Sequence, residues 1–69
     1  MRDTYTADVH REDGAWVGTV PDLGGVHSWH PETLAGLRQG LAEAIVTAEG
    51  LPDDAVGEIA SRIVTQPDT

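Results

Sequence analysis

Sixty-nine residues make one domain, and a chain this short buries only about 60% of the surface its unfolded form exposes. It has no cysteine, which excludes disulfide staples and thiolate metal sites. Twelve acidic residues against four arginines and no lysine give a net charge of −8; this disfavours unassisted contact with a phosphate backbone or an anionic membrane and suits a basic protein partner.

No apolar run approaches the ~18 residues of a membrane-spanning helix. Met1-Arg2-Asp3-Thr4 is not followed by the apolar stretch of a signal peptide. A cytoplasmic protein is expected. Repeats, low-complexity tracts and linkers are absent, so Gly and Pro alone divide the chain.

Over residues 4–11, Tyr5, Ala7 and Val9 alternate with Thr6, Asp8 and His10, the period-two pattern of a half-buried strand. Asp13-Gly14 is a hairpin signal, because both positions tolerate positive φ. Residues 15–20 form the return strand, ended by Pro21. A two-residue turn sets Glu12 opposite Ala15, Arg11 opposite Trp16 and Val9 opposite Gly18. Tyr5, Ala7, Val9, Trp16 and Val20 then share the core face, with Gly18 leaving room beside Val9. Thr6, Asp8, His10, Glu12, Val17 and Thr19 share the other.

Pro21-Asp22-Leu23-Gly24-Gly25 is a tight connection to a short third strand over residues 26–29. A helix over residues 33–49 follows, with Thr33 as N-cap and an apolar stripe of Leu34, Leu37, Leu41, Ile45 and Ala48. Gly50 and Leu51-Pro52 end it. Gly36 and Gly40 each cost a helix about 1 kcal/mol relative to Ala; they either permit close packing or are merely tolerated, and toleration is the expectation. The tail is open to two readings. Ala55, Val56, Ile59, Ala60, Ile63 and Val64 fit a helical face, and residues 58–64 fit a strand. Residues 66–69 are expected to fray.

Few motifs carry chemistry. His27 and His30 have HxxH spacing, with His10 the sole other histidine, but they straddle a strand end where a zinc site needs three or four convergent ligands. Ser28 and Ser61 lie on no nucleophile elbow. Asp8 and Asp22 could approach one another, yet a two-metal centre needs further acids. No P-loop or GxGxxG is present. Trp16 is expected in the core; Trp29 is either a core contact or an exposed interface anchor. No cofactor is expected, and binding is favoured over catalysis.

Taken in order, Tyr5 to Val9, Asp13-Gly14, Trp16-Val17, Pro21-Asp22-Leu23-Gly24-Gly25, Thr33-Leu34 and Glu43-Ala44-Ile45 resemble the HicB-type antitoxin family. The resemblance covers about residues 4 to 50. Gly24 stands where that family usually has proline, and Gly36 where an acidic residue is common. The resemblance implies an α+β fold of β-β-β-α-β order, partial RNase H-like: a three-stranded antiparallel meander, one packed helix and a fourth strand over residues 58–64. It implies no catalysis, a small basic HicA-like RNA-cleaving toxin as partner, and a homodimer. Direct DNA binding is not expected, since residues 51–69 are too few for a DNA-binding module beside the fourth strand. The residues taken as candidate partner contacts are Asp8, His10, Glu12 and Thr19, acids and polar groups opposite the core face. The alternative is a solitary self-associating module.

Overall fold

In the computed structural model, which describes residues 3–24 and 26–67, strand β1 (Tyr5–Glu12) turns through Asp13-Gly14 into β2 (Ala15–Val20). Asp13 at φ 51° and Gly14 at φ 81° supply the two positive φ values that match the hairpin to the strand twist. The register is the one the turn dictates: Glu12 opposite Ala15, Arg11 opposite Trp16, Val9 opposite Gly18. A single 3-10 turn, Pro21–Leu23, closed by Gly24 at φ 67°, leads to β3 (Val26–His30). Of the paired glycines, Gly25 lies outside the described residues.

Helix α1 (Leu34–Glu49) starts where Thr33 Oγ1 accepts the Gly36 N–H at 2.9 Å. It stops at Gly50, at φ 67°, where the N–H groups of Gly50 and Leu51 bond back to the carbonyls of Thr47 and Val46. That pair of bonds is a Schellman cap, with Leu51 folding onto the core.

The tail divides between the two readings. A 3-10 turn at Asp53–Ala55 runs into helix α2 (Val56–Arg62), which turns into β4 (Ile63–Pro67). The strand expected over residues 58–64 is therefore corrected: residues 58–62 are helical, and the strand lies further on. Ile59 decides this, since it is fully buried as part of a helical face. Gln66 and Pro67, expected to fray, belong to β4, and residues 68 and 69 lie outside the described residues.

The fold is α+β. Its four strands lie in the order β3-β2-β1-β4, with β4 parallel to β1 and the other pairs antiparallel. Tyr5, Ala7, Val9, Val20 and Ile63 meet Leu37, Leu41, Ala42, Ile45, Val46, Ala55 and Ile59 in one core between sheet and helices. Each large side chain buried there contributes about 1.5–3 kcal/mol. The Tyr5 hydroxyl, at the core edge, donates to Glu49 Oε2 at 2.7 Å. Trp16 is not in this core. It is half-buried at the rim, with the Arg11 guanidinium 5.0 Å from its ring centre, because it sits near the hairpin end, where the register pairs it with Arg11.

Glycine sets how closely α1 approaches the sheet. A β-carbon at Gly18 would lie 2.9 Å from Leu41 Cδ1 and 3.1 Å from Leu37 Cδ2, so the space beside Val9 is filled by α1. One at Gly36 would lie 2.5 Å from the His30 ring, and one at Gly40 would lie 2.5 Å from Ser28 Oγ. The two helix glycines are thus contact positions against β3, not merely tolerated residues. Helix cost is exchanged for proximity.

Candidate functional site

Both helices pack on one face of the sheet; among the described residues, nothing covers the other. Alternation along β1 sends Thr6, Asp8 and His10 to that uncovered face, because Tyr5, Ala7 and Val9 are held in the core. Cross-strand pairing then builds rows. Trp29, Val17 and His10 form one row across β3, β2 and β1; His27, Thr19, Asp8 and Gln66 form the next, across all four strands. Val64 stands beside Thr6.

The four candidate residues fall together. Asp8 and Thr19 are direct cross-strand partners. His10 is two residues from each of Asp8 and Glu12, and its Nε2–H donates to Glu12 Oε2 at 3.2 Å. Directly opposed residues on such a face have β-carbons about 4.5–5.5 Å apart, so this is one continuous surface.

Sequence reasoning placed Val17 on this face and left Trp29 between a core contact and an exposed anchor; it missed Val64. Trp29 is 64% exposed and Val64 47%, the two large hydrophobic side chains most open to solvent among the described residues. With half-buried Val17 they give the polar face an apolar component. For Trp29 the available signal was its alternation with Ser28 and His30; both of those turn to α1, so Trp29 must turn away. Val64 was obscured because the strand around it begins later than expected.

Among the described residues the face carries the carboxylates of Asp8 and Glu12 and no arginine or lysine. Arg11 is engaged at the hairpin, stacked on Trp16 and donating to the Gly14 carbonyl at 3.0 Å. Arg62 donates to Glu58 Oε1 at 2.8 Å and lies 3.7 Å from Asp3. The hydrogen bond it donates to Glu58 holds the Arg62 guanidinium above its usual range, so it keeps its charge at any physiological pH. Among the described residues no three His, Asp or Glu side chains come close enough to hold a metal ion. Asp8 and Asp22 are not brought into such a group.

One further concavity, an open groove of about 500 Å³ between α1 and the start of α2, is lined by Gln39, Glu43, Val46, Thr47, Asp53 and Val56. No helix among the described residues is long and apolar enough to cross a membrane.

The chain matches no protein-family model, no curated protein and no solved structure.

Proposed function

We propose that this chain is a binding domain of HicB-like antitoxin type, which silences a small basic RNA-cleaving toxin in the cytoplasm by covering it. The observation that carries the reading is the uncovered sheet face, where Asp8 and Glu12 stand beside an exposed Trp29 in a chain of net charge −8. A toxin that grips RNA must present a cationic surface. An acidic face speeds encounter with such a surface and orients it, and a flat aromatic supplies the desolvated contact that holds it. The meander, the helix and the parallel fourth strand beside β1 support reading the fold as a partial RNase H-like unit that binds and does not cut.

Co-expression with any short basic protein encoded next to it tests this. Copurification and relief of growth arrest are expected. Asp8→Lys with Glu12→Lys should weaken the complex strongly at low salt and less at high salt, because screening already suppresses the attraction there. Unchanged affinity at low salt rules out this face.

The alternative is a self-associating module with no toxin. The observation favouring it is strand β3 at one border of the sheet, which carries no proline, lysine or carboxylate.

A further inference from the structure

Alternation and pairing bring four ionisable side chains to the uncovered sheet face: Asp8, His10 and Glu12 from β1 and His27 from β3. Strands β2 and β4 have no ionisable side chain, and no element packs over this face among the described residues. His30, the third histidine, turns to α1 instead.

Successive residues on one face of a strand lie about 7 Å apart, so His10 has a carboxylate on each side. Its Nε2–H donates to Glu12 Oε2 at 3.2 Å. His27 shares a row with Thr19 and Asp8, two strands and thus about 10 Å from Asp8. Neither separation exceeds the screening length of about 10 Å at 0.1 M salt. Histidine is the side chain that changes charge between about pH 5 and 8, whereas carboxylates as a class keep theirs down to about pH 5. With both imidazoles neutral, two carboxylates dominate the face; with both protonated, the four charges cancel. Protonation of His10 also turns its bond to Glu12 into an ion pair, which engages that carboxylate within the chain.

We propose that protonation of His10 and His27 switches off the attraction of this face for cations, so that a basic partner is held near neutral pH and released in mild acid. This rests on reading the face as the docking site of such a partner. Asp8 and Glu12 supply the attraction, and the histidines set the pH at which it fails. The coupling is reciprocal, because a bound cationic partner repels protons from both rings. Binding at an intermediate pH therefore expels protons, and affinity rises with pH across the histidine range.

Hexa-arginine serves as the probe, because guanidinium stays cationic throughout this range. Its dissociation constant is measured by calorimetry at low salt, at about pH 8 and about pH 5.5. At least about fivefold weaker binding is expected in acid. Between those values the heat should vary with the ionisation enthalpy of the buffer, which reports the released protons. In His10→Gln with His27→Gln the ratio of the two constants should fall to about one, whatever the absolute affinity. His30 is intact in both proteins, so a fold weakened by acid would lower binding in parent and variant alike. Equal affinity of the parent at both pH values overturns the proposal. So does a double variant that keeps the full ratio, or hexa-arginine that binds at neither pH. Copurification with a toxin is read separately: its failure leaves the hexa-arginine ratio standing, and a flat ratio leaves copurification standing, so the two failures are told apart.

Discussion

Gly36 and His30 are packed so closely that a β-carbon on the glycine would lie 2.5 Å from the imidazole ring. The ring cannot simply swing aside. Its Nδ1 accepts the backbone N–H groups of Glu32 at 3.2 Å and Thr33 at 3.1 Å, at the entry to α1. One histidine thus ends β3, supports the first turn of α1 and forms the wall against which the helix rests. Shift the ring, and two N–H groups at the helix start lose their acceptor.

Gly36→Ala should therefore destabilise the domain by about 1–3 kcal/mol, the usual cost of overpacking, although alanine favours helix by about 1 kcal/mol. Gly40 makes the opposite case. Its tight neighbour is Ser28 Oγ, whereas Ser28 Cβ stands at an ordinary 3.5 Å. In a Ser28→Ala background the obstacle is gone, so Gly40→Ala should there raise stability by about 1 kcal/mol. Urea titration of the parent, Gly36→Ala, Ser28→Ala and the Ser28→Ala/Gly40→Ala double variant checks both signs.

The two halves of the tail should respond differently to truncation. Ile59, on α2, is fully buried, so Ile59→Ala should cost about 2–5 kcal/mol, a large share of a small domain's total. Val64, on β4, is 47% exposed, so Val64→Thr should stay within about 0.5 kcal/mol of the parent. Thermal melts of the two variants read this difference in burial directly.

Thr33 caps α1 through a single acceptor, Oγ1. Thr33→Ala should lose about 1 kcal/mol and Thr33→Ser very little, since serine keeps the oxygen. Helix content by circular dichroism should be unchanged in both at low temperature. The difference shows only in the midpoint.

Trp29 should matter to binding and not to folding. It is 64% exposed, so Trp29→Ala should shift the unfolding midpoint little. If the open face docks a basic partner, the same change should lower affinity by at least tenfold, the 1.4 kcal/mol or more typical of an aromatic anchor. Calorimetric titration of parent and variant with the copurified partner reads this directly. Equal affinities move the contact off this face.

Much of this architecture was legible because it is written locally. The alternation of Tyr5, Ala7 and Val9 sets one strand face without reference to anything distant. Asp13-Gly14 sets the register because its backbone preference is intrinsic, and with the register comes the grouping of Asp8, His10, Glu12 and Thr19. Thr33 and Gly50 bound α1 for the same reason: each supplies a specific hydrogen bond or dihedral at a helix end.

Other features became visible only once the elements met. Residues 55–64 satisfy a helical and an extended pattern equally well, and the choice depends on α1 offering Ile59 a place and β1 offering Ile63 a partner. Gly36 and Gly40 look like weak points in an isolated helix; Ser28 and His30, several residues away in the chain, make them points of contact. Trp29 was ambiguous until α1 took one side of β3 and left the indole the other. Sequence by itself thus determined the first three strands, the hairpin turn and the caps of α1, whose energies depend on neighbouring residues. Tertiary structure decided the tail, the glycine contacts and which sheet face stays open, because those depend on what distant segments leave unoccupied.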